Sequence, residues 1–280
     1  MRIIDLHCYP GTQTWIDAQG PYPAELARYW KRDWVAKTED EVVAEFTVAG
    51  VDACLVALDL ETTVATPPCC NDYVYGMWQR HTDRVIQCWG AVEPAKGEIA
   101  IRQVTKAVQE LGFMGFHFHP IMQHFAVNDR RHYDLFEVIN SLGAAVMVDV
   151  GTTGMGAGMP GGHGARVRHA HPSHIDDLAA DFPNLKIIMA HPGWPWVEET
   201  TAVALHKGNV YWEMSGWAPK HFPGNLKVDI RGRLQDKIMF GSDYPSLPYE
   251  RILREWRELG YKDDVMEKIM HGNAERVLGL

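Results

Sequence analysis

The stretch Ile238-Met-Phe-Gly-Ser-Asp243-Tyr-Pro245 ends a short apolar run in a carboxylate that stands just before a proline turn. Seven other apolar runs end in polar side chains in the same way. They cover residues 2–6, 53–58, 85–89, 113–116, 144–148, 186–190 and 210–212, and they end at His7, Asp59, Glu93, the pair His117 and His119, Asp149, His191 and Glu213. Such runs, rich in Val and Ile, are typical of parallel strands buried on both faces.

Segments of helical length separate these strands. Each carries apolar residues at spacings of three and four, as an amphipathic helix does. The predicted helices cover residues 39–49, 71–81, 97–111, 133–142, 174–181, 198–206, 226–234 and 250–259. This alternation predicts a (β/α)8 TIM barrel, in which chemistry takes place at the C-terminal ends of the strands. No linker or repeat divides the chain, so residues 1–280 are predicted to form a single domain.

Two insertions follow strands that end in candidate site residues. Residues 10–37 are rich in aromatic side chains, and residues 151–164 form a glycine-rich run. Because loops at this end of a barrel surround the site, we expect both insertions to lie over the barrel mouth as lids. The glycine run lacks the Gly-Lys-Ser/Thr ending of a P-loop, which argues against nucleotide binding.

The composition argues against several classes of protein. A length of 280 residues with 46% hydrophobic content is enough for one large core. A formal charge of −9 without a basic stripe argues against a nucleic-acid partner. No apolar stretch approaches membrane-spanning length, and the first residues lack a signal-peptide pattern. We therefore expect a cytoplasmic protein that does not bind membranes.

Four motifs carry a resemblance to a known family: Asp5-Leu-His7, Phe116-His-Phe-His-Pro120, Met189-Ala-His-Pro-Gly-Trp-Pro-Trp196 and Phe240-Gly-Ser-Asp-Tyr-Pro245. With them the chain resembles the amidohydrolase superfamily over essentially its whole length. It is most similar to the branch that contains aminocarboxymuconate semialdehyde decarboxylase, resorcylate decarboxylases, and lactone and ketoacyl hydrolases. The resemblance implies a divalent metal held by an HxH motif on the first strand, histidines on strands five and six, and the strand-eight aspartate. It also implies that this aspartate acts as a base or proton carrier.

Three of the implied metal ligands are present, namely His7, His191 and Asp243. Two positions depart from the pattern: Tyr9 stands at the second histidine of the HxH motif, and Asp149 stands at the strand-five histidine. The chain thus offers His7, Asp149, His191 and Asp243 as metal ligands. Fewer imidazoles should weaken binding of Zn²⁺ and favour a harder ion such as Mn²⁺. Two alternatives stay open: a bound divalent metal, or a site without a cofactor that works by hydrogen bonding and proton transfer.

The candidate catalytic residues are Asp243, His191, His117 and Tyr9. His117 and His119 point the same way along an extended strand, and we expect His117 to face the site while His119 holds the following loop. Asp149 is a ligand or catalyst, or else a buried partner for a histidine or for backbone amides. Tyr9 could donate a hydrogen bond to the substrate or merely pack.

Aromatic residues and arginines indicate the kind of substrate. Trp194, Trp217 and Tyr244 are expected to bind a planar apolar or aromatic ligand, with ordinary packing as the alternative for any one of them. Arg166, followed by Arg168, could clamp a carboxylate, although arginines on exposed loops are usually only solvated. We therefore expect a small carboxylate-bearing substrate that is aromatic or unsaturated.

Three functions are consistent with these residues. The first, slightly favoured, is decarboxylation, with Asp243 or a histidine protonating the ring or enol carbon. The second is hydrolysis of a lactone, an amide or a β-ketoacyl thioester by activated water. The third is a barrel that only binds, although the joint presence of His7, His191 and Asp243 argues against it. In each case the partner is a small molecule, and we expect a homo-oligomer, a dimer.

Overall fold

Eight parallel strands form one sheet in the order β1 to β8 in the computed structural model of the protein, which describes residues 1–31 and 33–280. The strands are β1 Ile4–Cys8, β2 Asp52–Val56, β3 Val85–Ala91, β4 Gly115–Phe118, β5 Ala145–Asp149, β6 Ile187–Ala190, β7 Val210–Glu213 and β8 Ile238–Met239. The sheet returns on itself, because the Leu6 amide donates to the Phe240 carbonyl over 3.2 Å and the Asp243 amide donates to the His7 carbonyl over 2.9 Å. The predicted (β/α)8 barrel is confirmed.

The eight predicted helices are present, with ends that differ by a few residues, and the described residues form five further α-helices that were not predicted. In chain order, the helices are α1 Gln13–Asp17, α2 Tyr22–Trp30, α3 Glu39–Ala49, α4 Glu61–Val64, α5 Asn71–Arg80, α6 Glu98–Gln109, α7 Tyr133–Ser141, α8 Ser173–Asp181, α9 Val197–His206, α10 Gly224–Ile230, α11 Tyr249–Glu258, α12 Asp263–Glu267 and α13 Asn273–Leu278. Among the described helices, none combines the length and the apolar character needed to cross a bilayer.

The C-terminal helices, which the sequence patterns did not predict, support the short strand β8. Outside the two residues of β8, the Phe240 amide donates to the Ile269 carbonyl over 2.9 Å. The buried Asn273 side chain donates to the Ile238 carbonyl over 2.8 Å. Because buried backbone groups need partners, these bonds replace ladder bonds that a longer strand would form.

The two insertions contact each other over the barrel mouth. Helices α1 and α2 lie within residues 10–37, and the Trp30 ring at the end of α2 rests on the backbone of residues 151–164. A Cβ atom at Gly154 would lie 2.6 Å from Trp30 Cζ2, so only glycine admits the ring at this point. Arg32, which belongs to the first predicted insertion, lies outside the described residues.

Gly115 sets the distance between β4 and β5. A Cβ atom there would collide with the Ala145 carbonyl oxygen and lie 2.6 Å from Trp89 Cζ3. We expect Gly115→Ala to lower the free energy of unfolding by about 1–3 kcal/mol, as overpacking a core does.

Gly208→Ala is the matched control, because no heavy atom lies within 4 Å of a Cβ atom at Gly208. Its effect should stay within about 0.5 kcal/mol. Urea denaturation of the three proteins measures both values. If Gly115→Ala is as stable as the unmodified protein, β4 and β5 are not packed as closely as described.

Candidate active site

Polar side chains from six strand ends lie together at the C-terminal mouth of the barrel. The group consists of His7 from β1, His117 from β4, Asp149 from β5, His191 after β6, Glu213 from β7 and Asp243 after β8. Most of them are almost fully buried. Parallel strands deliver their C-terminal residues to the same edge, which explains how residues separated by more than 200 positions become neighbours. The structure thus brings together the four residues named as metal ligands.

Asp149 lies at the centre of this group, among three imidazoles. Its Oδ1 accepts a hydrogen bond from His117 Nε2 over 2.9 Å and lies 3.4 Å from His191 Nε2. Its Oδ2 lies 3.3 Å from His119 Nε2 but accepts no hydrogen bond from any described residue. Burial opposes the charge, yet the three imidazoles outweigh it and hold the pKa of Asp149 well below its usual range. Asp149 is therefore a carboxylate at neutral pH.

The pKa values of His191 and Asp243 are both raised, which favours the charged form of His191 and the neutral form of Asp243. Burial opposes the charged form of His191, but the nearby carboxylates, Asp149 first, raise its pKa to about 10. Burial raises the pKa of Asp243 to about 7, with the charge of His191 acting in the other direction. Asp243 can therefore accept or release a proton near neutral pH, as general acid–base catalysis requires.

Both residues have left-handed backbone conformations, with φ of 69° at His191 and 59° at Asp243. Residues other than glycine rarely adopt this region, and outliers of this kind cluster at functional sites. Asp243 is held there by its own amide, which donates to His7, and by the Ser246 amide, which donates to the Asp243 carbonyl over 2.8 Å.

A buried pair, Glu213 and Ser215, orients two of the imidazoles. Ser215 Oγ donates to Glu213 Oε2 over 2.9 Å and lies 2.9 Å from His191 Nδ1. His7 Nδ1 lies 3.2 Å from both Ser215 Oγ and Glu213 Oε2. Both rings therefore use Nδ1 for this pair and leave Nε2 directed at the neighbouring site residues. Burial raises the pKa of Glu213 well above its usual range.

Tyr9 stands where a second imidazole was implied. Its hydroxyl lies 3.2 Å from His7 Nε2, and its ring stacks on Trp15 at a centroid distance of 5.3 Å. Burial raises the pKa of Tyr9 well above its usual range, so the hydroxyl keeps its proton. Tyr9 is therefore a neutral hydrogen-bonding group on the wall of the pocket.

The residues present fit a divalent cation. His7, Asp149 and His191 each offer one ligand atom, and these atoms lie within 4.8 Å of one another. Asp149 Oδ2 has no hydrogen-bond donor among the described residues, which leaves it available to a cation. Histidines that bind metals usually donate their other ring N–H to an acceptor, and the Glu213 and Ser215 pair supplies acceptors. Asp243 is not part of this group, although its Oδ1 lies 3.8 Å from His7 Nε2.

Of the four residues expected to bind substrate, two lie at the mouth. Trp194 and Trp217 line an outer cavity that also touches His191 and Asp243. Tyr244 does not face this cavity. Its ring is buried against Tyr249 at a centroid distance of 5.5 Å, and its hydroxyl donates to Glu45 over 3.0 Å.

The left-handed backbone at Asp243, with φ of 59°, turns the chain between the two side chains. Asp243 points into the mouth, and the Tyr244 ring packs against α3, at a centroid distance of 5.2 Å from the Phe46 ring. Arg166 is exposed and does not line the cavities around Asp243. The chain after the glycine-rich run carries it to the outer surface near His124.

Glu213, Ser215 and His119 belong to the site but were not predicted to. Glu213 ends a predicted strand exactly as Asp149 does, so the same pattern could have indicated it. His119 holds its loop, as expected, by accepting from the Met122 amide over 3.3 Å, and it also faces Asp149. Ser215 carried no sequence signal, because its role depends on two imidazoles that are distant in the chain.

Comparisons with known proteins agree with this architecture. Residues 4–280 match the model of a family described as amidohydrolase. A search of curated proteins finds no significant match. Among solved structures, an uncharacterized TIM-barrel protein from Bordetella bronchiseptica has a TM-score of 0.80 at 24% identity and covers 100% of this chain and 99% of its own.

Two further structures have more descriptive names. A 5-carboxyvanillate decarboxylase from Novosphingobium aromaticivorans, complexed with manganese and a nitrobenzoic acid, has a TM-score of 0.72 at 18% identity, covering 100% of this chain and 96% of its own. A probable 2-pyrone-4,6-dicarboxylic acid hydrolase from Acinetobacter baumannii has a TM-score of 0.66 at 15% identity, covering 100% of both chains. At these identities the likenesses show the fold. The family match over nearly the whole chain confirms the resemblance seen in the four motifs, and the chain belongs to the amidohydrolase family of enzymes.

Proposed function

We propose that the protein is a carboxy-lyase that removes carbon dioxide from a small aromatic or unsaturated carboxylate. The observation that carries the proposal is the position of Asp243, whose Oδ1 lies 3.8 Å from His7 Nε2, beside the cation-binding group formed by His7, Asp149 and His191. Loss of carbon dioxide leaves an electron pair on carbon, and a carboxyl group next to that carbon can protonate it. The decarboxylases among the similar structures support this choice.

The reaction requires one proton and no redox partner. The bond between the substrate carbon and its carboxylate breaks, and the electron pair stays on the substrate carbon. Asp243 donates its proton to that carbon, carbon dioxide leaves, and solvent returns a proton to Asp243. The Tyr9 hydroxyl, on the wall of the pocket, would hold a substrate oxygen, and His117 would act through Asp149, to which its Nε2 donates.

A divalent metal would be held by His7, Asp149 and His191, with Asp243 next to them. Bound there, it would supply positive charge that stabilises negative charge on substrate oxygens. We propose Mn²⁺ over Zn²⁺, because two imidazoles with a carboxylate form a harder ligand set than one with more histidines. Manganese in the similar decarboxylase supports this choice.

Hydrolysis of a lactone or another acyl compound is the second candidate. The similar hydrolase structure favours it, and Asp243 could take a proton from water instead of giving one to carbon. The two reactions give different products, so a panel of hydroxybenzoates, lactones and acyl thioesters separates them. Release of carbon dioxide supports the first candidate, and formation of a free acid supports the second. A homo-oligomeric state and a cytoplasmic location stay predictions.

Replacement of the proton carrier should abolish most of the turnover. Asp243→Asn keeps the size of the side chain but cannot donate the proton, and we expect turnover to fall by about two to three orders of magnitude. Initial rates of carbon dioxide release measure the effect. Asp40→Asn, at an exposed surface position, is the control and should keep the full rate. An Asp243→Asn protein with near-normal turnover would exclude the role.

The altered ligand set should bind metal weakly. We expect chelation to remove the ion from the unmodified protein, and the double change Tyr9→His and Asp149→His to raise the metal content. The double variant should also depend on metal for stability, because it loses the carboxylate that compensates charge among the histidines. Elemental analysis and thermal unfolding with and without Mn²⁺ measure the two effects. A stoichiometric ion that survives exhaustive chelation of the unmodified protein would contradict the prediction.

Ser215 should affect metal affinity although it is not itself one of the metal ligands. Ser215→Ala removes the hydroxyl shared by His7 and His191, and groups that orient metal ligands typically contribute about 10–100-fold to affinity. Calorimetric titration with Mn²⁺ measures the loss. Ser141→Ala, whose exposed hydroxyl only contacts its own helix, should bind as the unmodified protein does. Equal affinity in the Ser215 and Ser141 variants would show that Ser215 does not orient the ligands.

A further inference from the structure

The mouth of the barrel contains two adjoining chambers of very different size. The inner chamber has a volume of about 80 Å³, and the outer chamber has a volume of about 680 Å³. The residues that line both chambers, and so form the boundary, are Trp30, Thr153, Gly154, His191, Asp243 and Ser246. The proposed proton carrier therefore faces both chambers at once.

The inner chamber admits only a small group. Pockets that hold drug-sized ligands have volumes of about 300–1,000 Å³, several times the volume here. Its polar lining includes Tyr9, His119 and Asp149, and the rings of Trp15 and Trp34 form much of the remaining wall. A small polar group such as a carboxylate with its neighbouring oxygen suits this space.

The outer chamber is large and aromatic. Tyr29, Trp30 and Trp194 are 59%, 48% and 51% exposed, and they are the aromatic members of the strongly exposed large apolar side chains in the described part of the chain. All three line the outer chamber, together with Trp217. The Trp194 and Trp217 rings lie 6.0 Å apart at an angle of 39°. Exposed apolar surface gathered at a site entrance indicates a binding surface.

Neither chamber offers a cation from an arginine or lysine within residues 1–31 and 33–280. The histidine and carboxyl side chains that line them are His191, His119, Asp149 and Asp243, and of these only His191 and Asp243 reach the outer chamber. Among the described residues, a second carboxylate in the outer chamber would therefore have no arginine or lysine partner and would compete with the first carboxylate for His191. Burial of an unpaired charge is costly, so the site should discriminate against such a substrate.

We propose that the substrate has two parts: a small carboxylate-bearing head in the inner chamber, and an uncharged aromatic body larger than one ring in the outer chamber. The bond that breaks joins them next to His191 and Asp243. This inference rests on the proposed carboxy-lyase function for the breaking bond. The division of the ligand between the chambers can be measured by binding alone.

Equilibrium binding of three probes tests the division. They are 2-hydroxybenzoate with one ring, 3-hydroxy-2-naphthoate with two rings, and 4-hydroxyisophthalate with one ring and a second carboxylate. We expect the naphthoate to bind at least about tenfold more tightly than the benzoate, because the second ring buries more apolar surface. The isophthalate should bind about tenfold more weakly than the benzoate. Equal or weaker binding of the naphthoate, or tighter binding of the isophthalate, would overturn the proposal.

Variants of the outer chamber test whether the second ring of the naphthoate binds there. The double change Trp194→Ala and Trp217→Ala should weaken binding of both probes but weaken the naphthoate at least about fivefold more, so that its advantage over the benzoate is lost, whereas the double change to Phe should keep most of that advantage. Trp78→Ala, on α5 against Tyr75 and away from both chambers, is the control. Thermal unfolding shows that each variant is folded. A folded alanine variant that keeps the full naphthoate advantage would refute the assignment.

The same probes separate this proposal from the proposed function. Carbon dioxide release is measured on each probe in parallel with binding. If the affinities follow the expected order but no probe or related hydroxycarboxylate loses carbon dioxide, the carboxy-lyase function fails and the two-chamber division stands. If carbon dioxide is released and the naphthoate has no advantage, the division fails and the function stands.

Discussion

The buried charge of Asp149 is the constraint on which the site depends. A carboxylate at this depth is tolerated only if cationic or hydrogen-bonding groups compensate it, and here β4 and β6 supply those groups. Removing one partner of a buried ionic group typically costs several kcal/mol, roughly 3–5. The strands beside β5 must therefore end where they do, since a shift of one residue would turn the imidazoles away. The strand register that closes the barrel is therefore the same register that assembles the site.

Glu213 and Ser215 orient the imidazoles of His7 and His191 from the β7 side of the site. They contact Nδ1 of His7 and of His191, which fixes the orientation of each ring. The Nε2 atom of each ring then faces the other site residues. Gly241 makes room for this arrangement, because a side chain there would collide with the Glu213 carboxyl group. Tyr9 can therefore replace an imidazole without disturbing His7 and His191, because Ser215 and Glu213 orient these two rings.

The fold was predictable because each buried strand is an apolar run that ends in a polar residue. The same rule located His7, Asp149, His191 and Asp243, and it marked Glu213 equally as a strand end, but Glu213 was not named as a site residue. Tyr244 was misplaced because its aromatic ring was counted as surface for the ligand, whereas it packs on Phe46 and Tyr249 in the core. Ser215 could not have been found from the chain alone. Its role depends on contacts with His7 and His191, which come from other strands and become neighbours only in the folded barrel. No local sequence pattern indicates these contacts.

The chemistry proposed for His191 and Asp243 would come at the expense of stability, because both residues have a left-handed backbone. Each conformation costs an L-residue about 1 kcal/mol or more, and the partly buried Asp243, whose side chain is 21% exposed, adds part of the cost of removing a carboxyl group from water. Glycine at either position would relieve backbone strain while removing the functional group. Selection for a sturdier fold and selection for turnover therefore oppose each other at these two residues. Homologues that have lost the reaction but kept the barrel would be expected to show small, flexible residues there.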